Sequence, residues 1–220
     1  MNVVITGTSH GIGKATALTF LMNGYIVYGI DVEPSTITYM DHNYVHIQAD
    51  VSDYDSLPDI EDVDILINNA GVQNSGRDIE INLKGVINCT KKYGLQPNIK
   101  SILNQASVSA HNGAEFPEYV ASKGGVLSYT KWTAQEVAKY GATCNSLSFG
   151  GVLTDLNAPV MNDKDCWNQI MEVTPLKKWA TPQEAADWVY FFTVRNKSCT
   201  GQDLIIDNGE TMLSHFVWTE

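Results

Sequence analysis

Along the chain, runs of apolar and β-branched residues alternate with stretches in which apolar residues recur every three or four positions. The runs at 3–6, 25–30, 45–49, 63–68, 99–106, 142–149 and 204–207 predict strands. Helices are expected over 12–23, 79–93, 118–140 and 182–195, with a shorter one near 165–172. Ala15, Ala17, Leu18 and Leu21 give the first helix its apolar stripe, and Gly24 stops it. Thr181 followed by Pro182 reads as a cap and first turn. Continuous apolar strands separated by helices predict an α/β, three-layer, doubly wound parallel sheet of about seven strands, covered on both faces. Such sheets bind ligands beyond the carboxyl ends of their strands, where the strand order reverses. No repeat or linker divides the chain, so a single domain over 1–220 is expected, with a substrate loop over about 153–180.

Composition narrows the function classes. Hydrophobic residues make up 44% and charged residues 18%, a globular balance. A net charge of −11 argues against nucleic-acid and anionic-lipid partners, which need a basic face. No apolar run reaches the ~20 residues of a membrane span, and the first residues lack the basic region of a signal peptide. A cytoplasmic location is expected. Cys89, Cys144, Cys166 and Cys199 form no CxxC pair, and the five histidines (His10, His42, His46, His111, His215) show no metal-binding spacing. Reduced thiols and no catalytic metal are expected.

The first strand runs into Thr6-Gly7-Thr8-Ser9-His10-Gly11-Ile12-Gly13, and a helix follows. Gly7 can make a tight turn, Gly11 lets backbone approach a pyrophosphate, and Gly13 allows close helix–strand packing. The helix N-terminus offers unpaired N–H groups and partial positive charge to phosphates. Asp31 ends the second strand 18 positions beyond Gly13. A carboxylate there can accept hydrogen bonds from an adenosine ribose and repels a 2′-phosphate. No lysine or arginine lies beside it, and His10 occupies a turn position where a fixed cation would favour NADP. NAD is therefore expected, with NADP the lesser choice; a solvated loop aspartate is the plain alternative.

Tyr119 and Lys123 stand four apart at the start of the longest expected helix, on one face. A phenol titrates near 10, and an adjacent ammonium favours the phenolate, so the pair can serve general acid–base catalysis. Ser107 ends the preceding strand and can hydrogen-bond a substrate oxygen. Taken alone, a YxxxK spacing is also that of an exposed i,i+4 pair.

With these motifs in place, the chain resembles the short-chain dehydrogenases/reductases in their Rossmann-type form. TGxxxGxG is met at 6–13, NNAG by Asn68-Asn69-Ala70-Gly71, and YxxSK by Tyr119, Ser122 and Lys123 with Ser107 upstream. Asn82, in an Asn-Leu-Lys-Gly context, resembles the family's fourth catalytic residue; Asp50-Val51 resembles its adenine-contacting pair. The segment 149–154 resembles PGxVxT. The resemblance implies NAD held by Gly7, Ser9, His10, Gly11, Ile12 and Gly13 in the turn, and by Asp31 at the ribose. Asp50 and Val51 would hold the adenine, and Asn69, Ala70 and Gly71 would line the adenosine side. Gly150, Val152 and Thr154 would stand near the nicotinamide, whose ribose Lys123 would grip beside Tyr119. It further implies that Tyr119 exchanges a proton with a secondary alcohol or ketone while hydride moves to or from the nicotinamide. Ser107 would orient the oxygen and Asn82 would support a water leading protons to solvent. Relatives of this kind are usually dimers or tetramers, built partly on the helices beginning near Ile79 and Tyr119.

Three departures from the family pattern stand out. Only 53–62, interrupted by Pro58, separates the third and fourth strands, so the usual helix there is shortened or missing. Ten residues lie between Gly71 and Asn82, a trimmed loop that widens the rim of the site. Phe149 replaces the usual proline, either as a packing change or as an altered nicotinamide wall. Substrate contacts then fall to 109–116 and to 155–179, where Leu156, Met161, Trp167, Ile170, Met171 and Trp179 form either a mobile apolar lid or ordinary packing. Phe216, Val217 and Trp218 are expected to pack on another subunit or close a neighbour's pocket. A non-catalytic dinucleotide-sensing or regulatory protein on the same fold is the competing function. A binder needs no tuned phenol, so Ser107, Tyr119 and Lys123 together weigh against it.

Overall fold

Val3 and Ile5 of the first strand point into one side of the sheet and Val4 into the other, and all three are fully buried. That two-sided burial is why the strand is a continuous apolar run and not an alternating one. The computed structural model describes residues 1–38, 42–114 and 116–212. Its strands are β1 (Asn2–Thr6), β2 (Ile26–Asp31), β3 (Tyr44–Gln48), β4 (Val63–Asn68), β5 (Ser101–Ser107), β6 (Thr143–Phe149) and β7 (Asp203–Ile206). They form one sheet in the order β3-β2-β1-β4-β5-β6-β7, every pairing parallel. The order reverses between β1 and β4, which places the crevice for a ligand above their carboxyl ends.

On one face, α1 (Gly11–Met22) and α7 (Pro182–Tyr190) pack together; Ala17, Phe20, Ala185 and Val189 meet Val3, Ile5, Ile67 and Leu147. Phe20 lies 5.1 Å from Tyr25 and 5.2 Å from Tyr190, ring centre to ring centre. Thr181 and Glu184 close α7 with a reciprocal capping box, as the Thr-Pro start predicts. The other face is covered by a helix over 79–94 and by α4 (Pro117–Val137), whose Tyr93, Ala134 and Val137 pack on Val4, Leu66 and Ile102. The helix over 79–94 is wound as π turns at Ile79–Lys84 and Thr90–Gly94, with α2 (Gly85–Cys89) between them. The short helices α3 (Ser109–Asn112) and α5 (Ala158–Asn162) add to the expected set, and α6 (Lys164–Val173) is the helix expected near 165–172.

The link between β3 and β4 holds only one 3₁₀ turn, Tyr54–Ser56. Leu57 plugs the core in place of a helix, and the segment is tied down by Tyr93 Oη donating to the Pro58 carbonyl at 2.9 Å and by Asn88 Nδ2 donating to the Val51 carbonyl at 3.0 Å. A buried polar seam crosses the sheet. Asn68 Nδ2 donates to its register partner Asn104 at 2.8 Å, and Asn104 Nδ2 donates to Thr130 on α4 at 2.9 Å. Cys89 and Cys144 are buried, and burial pushes the Cys89 thiol up to about 12. No described helix is long and apolar enough to cross a membrane.

Candidate active site

The turn after β1 is built so that backbone can be approached closely. Gly7 has φ +74°, and a Cβ there would stand 2.8 Å from Asn69 Nδ2. A Cβ on Gly13 would lie 1.9 Å from the Gly7 carbonyl oxygen, so only glycine lets α1 start this near the turn. Asn69 locks the arrangement from the end of β4, donating through Nδ2 to the carbonyls of Thr6 and Gly7 at 2.9 and 3.1 Å. Thr6 Oγ1 accepts the amides of Asn69 and Ala70 at 3.0 and 2.9 Å. His10 precedes α1 without capping it by side chain, which leaves the amides of the first turn directed at the crevice.

Asp31 reaches back from β2 and accepts the amides of Ser9 and Glu33 at 2.8 and 3.0 Å. His10 Nε2 meets Glu33 at 2.9 Å, and its Nδ1 lies 3.9 Å from Asp155 on the far side of the crevice. At the end of β3, Asp50 accepts from the amide and hydroxyl of Ser52 at 2.9 and 2.7 Å and pairs with Arg77 at 3.1 Å. Burial alone would raise the Asp50 carboxyl; Ser52 and the Arg77 guanidinium outweigh it and hold the group below its ordinary value.

Lys123 is 4% exposed, so the Tyr-Lys spacing is not that of a solvated surface pair. Its ammonium donates to the Gln105 carbonyl at 3.0 Å and lies 5.7 Å from the centre of the Tyr119 ring. It also approaches Gly71, where a Cβ would stand 3.5 Å from Nζ. Ser107, at the end of β5, shares a 3.0 Å hydrogen bond with the Ser109 hydroxyl and accepts the Ser109 amide at 3.2 Å. Asn82 is fully buried in the first π turns. It brackets Val72, accepting its amide at 2.8 Å and donating to its carbonyl at 2.9 Å, and donates to Ser122 at 3.1 Å.

These groups surround a cavity of about 980 Å³ above the sheet. Of the residues expected around a dinucleotide, all but Ser9, Gly13 and Lys123 line it, and so do Ser107 and Tyr119. Ser9, Gly13, Lys123 and Asn82 sit one layer behind and hold the lining in place. Thr154, after β6, comes within 3.2 Å of a Cβ placed on Gly11, closing the two sides. Phe149 is buried in the core and also borders the cavity. Leu156, Ile170 and Trp179 of the 155–179 segment line the cavity, and Trp167 packs edge-on against Trp179 at 5.0 Å. Arg77 and Glu210 line it without any sequence signal, Arg77 from irregular backbone and Glu210 from the start of the 3₁₀ turn Glu210–Met212. Phe216, Val217 and Trp218 lie outside the described residues.

The structure thus joins a doubly wound parallel sheet, a glycine turn at its switch point, and a serine, a tyrosine and a lysine beside that turn. The family model described as enoyl-(acyl carrier protein) reductase matches residues 7–211. The chain is 30% identical over 245 aligned positions to the 3-oxoacyl-[acyl-carrier-protein] reductase of Synechocystis sp., covering 95% of this chain and 96% of that one. It is 27% identical over 236 positions to the 2-dehydro-3-deoxy-D-gluconate 5-dehydrogenase of Escherichia coli (strain K12), covering 94% and 93%. Among solved structures, a 4-hydroxyisoleucine dehydrogenase mutant complexed with NADH and succinate superposes with a TM-score of 0.89 at 26% identity, covering 98% of this chain and 100% of that one. The chain belongs to the short-chain dehydrogenase/reductase family of oxidoreductases.

Proposed function

We propose that this protein is an NAD-dependent oxidoreductase that interconverts a secondary alcohol and a ketone, with Tyr119 as the general acid/base. The observation that carries this reading is that Ser107 and Tyr119 face one cavity while the buried Lys123 ammonium stands behind the Tyr119 ring.

The cavity fits a dinucleotide. A Cβ at Gly13 would collide with the Gly7 carbonyl and one at Gly7 with Asn69 and Ala70, and the first amides of α1 face the space where a pyrophosphate belongs. Asp31 would accept from the adenosine ribose, Asp50 and Val51 would hold the adenine, and Gly150, Val152 and Thr154 would border the nicotinamide. Asp31 and Glu33 place negative charge beside the ribose, and His10 is already engaged by Glu33, which favours NAD over NADP. When bound, NAD supplies the hydride chemistry that no side chain can.

The protein's own residues manage the proton. Tyr119 takes it from the alcohol oxygen, or returns it to the carbonyl oxygen in the reverse direction. Lys123 favours the phenolate form and, held by the Gln105 carbonyl, keeps its charge in place. Ser107, oriented by Ser109, donates to the substrate oxygen. Asn82 positions Val72 and Ser122, and Ser122 in turn donates to the Tyr119 carbonyl at 2.7 Å. The protein works as a homo-oligomer: Trp132, 44% exposed and stacked on Tyr129 along α4, leaves an aromatic face suited to a second copy. The Tyr119→Phe variant, assayed separately for turnover and for NADH binding, tests the catalytic assignment.

A further inference from the structure

The charges around the cavity are unevenly distributed, and the imbalance bears on what the substrate can be. Among the described residues, Arg77 is the one lysine or arginine that lines the cavity, and His10 is the one histidine. Both stand toward the adenosine side, and both are engaged, His10 by Glu33 and Arg77 by Asp50 and Ser52. Around Ser107 the wall is different. Ser107 is in register with Phe149, and the following glycines are packed by Asp207 and Trp179, with the Glu210 carboxylate next to Asp207. A Cβ on Gly150 would lie 3.6 Å from Glu210 Oε2, and one on Gly151 would overlap the Trp179 indole. Phe116, Val160 and Ile170 continue the same wall.

No lysine or arginine among the described residues faces this end. Lys123 is buried behind Tyr119 and donates to Gln105. Lys177 is spent on the carbonyls of Met171 and Glu172, each at 2.8 Å, and Lys178 pairs with Glu184. The residues at 39–41, 115 and 213–220 include no lysine or arginine either. A carboxylate or phosphate brought into this end would be desolvated against apolar walls with a carboxylate nearby and no fixed cation to receive it.

The geometry points to an uncharged ketone or secondary alcohol with an apolar body as the substrate, and to discrimination against carboxylate- and phosphate-bearing analogues. This rests on the oxidoreductase reading above and deepens it by naming the substrate class. It also separates this chain from the Escherichia coli relative, whose name carries a sugar-acid substrate.

Matched pairs of ketones test it: methyl acetoacetate against acetoacetate, methyl levulinate against levulinate, methyl benzoylformate against benzoylformate. Each pair presents one carbonyl with and without a negative charge, and NADH oxidation is read by absorbance at saturating NADH. The neutral member is expected to exceed the acid in kcat/KM by at least about tenfold, because like-charge juxtaposition is costly in a partly dry site. The Leu156→Arg variant, which adds a cation at an exposed position of the wall, is expected to raise the acid-to-ester ratio severalfold. Equal rates, a preference for the acids, or a ratio unmoved by Leu156→Arg would overturn the substrate class. If NADH fails to bind, or binds with no ketone of any charge reduced, the oxidoreductase reading itself fails and the substrate class falls with it.

Discussion

Asp31 accepts the Ser9 amide at 2.8 Å, joining the end of β2 to the glycine turn and placing its charge where the proposed function puts the adenosine ribose. The second acceptor bond, from the Glu33 amide at 3.0 Å, fixes the carboxylate's orientation. A carboxylate has about four lone-pair sites, so these two bonds leave capacity for a ribose diol. Asp31→Ala is expected to weaken NADH binding and strengthen NADPH binding, changing the ratio of their Kd values by at least about tenfold as like-charge repulsion is relieved. Fluorescence titration of both cofactors measures the ratio. A wild-type preference for NADPH would reverse the cofactor assignment.

Arg77 reaches across the mouth of the cavity to Asp50 and Ser52, at 3.1 and 2.8 Å. If the adenine lies between Asp50 and the β4 turn, the guanidinium stands against it. Arg77→Ala is then expected to weaken ADP-ribose binding roughly two- to fivefold, the scale of a cation–π contact at an accessible site. Binding of nicotinamide mononucleotide, which has no adenine, is expected to stay unchanged. Calorimetric titration of both ligands separates the two ends of the cavity.

Asp207 anchors the turn that carries Glu210 to the cavity wall. It accepts the amides of Gly209 and Thr211 at 2.9 and 2.7 Å, together with the Thr211 hydroxyl. Burial by itself would raise this carboxyl, but the bonds from Thr211 and Gly209 prevail and hold it below its ordinary value of 3.8. A carboxylate depressed in the folded state stabilises the protein above its unfolded pKa, and that contribution is lost as pH falls through the folded value. Asp207→Asn is therefore expected to lower the urea midpoint at neutral pH. The gap between variant and wild type should begin to narrow below about pH 4, where the unfolded chain's carboxyl starts to bind a proton, and should close as pH falls through the lower folded value.

The fold was readable in the sequence because the signals were local. Ile65, Leu66 and Ile67 are buried on both faces, so hydrophobicity marks the centre of β4. Thr181 and Pro182 marked the start of α7 because capping is a property of adjacent residues. The site motifs were equally visible, since Gly13 and the Tyr119–Lys123 pair carry their geometry in their spacing. The π turns around Asn82 were not visible: they add a residue per turn without changing which residues are apolar. Nor were the places of Arg77 and Glu210, which depend on turns whose positive-φ residues, Asn74 and Asn208, set the direction of the chain. The engagement of His10 by Glu33 and Asp155 joins three distant loops and has no sequence signature.

The assignment of Tyr119 as the proton-exchanging group is the point on which the functional account turns, and one variant addresses it. Tyr119→Phe keeps the ring over Lys123 and removes only the hydroxyl, so the measurement is steady-state NADH oxidation with a neutral ketone beside an NADH fluorescence titration of the same protein. The account predicts a fall in kcat of roughly 10²–10⁴-fold, with the NADH Kd little changed. Turnover equal to wild type would contradict it.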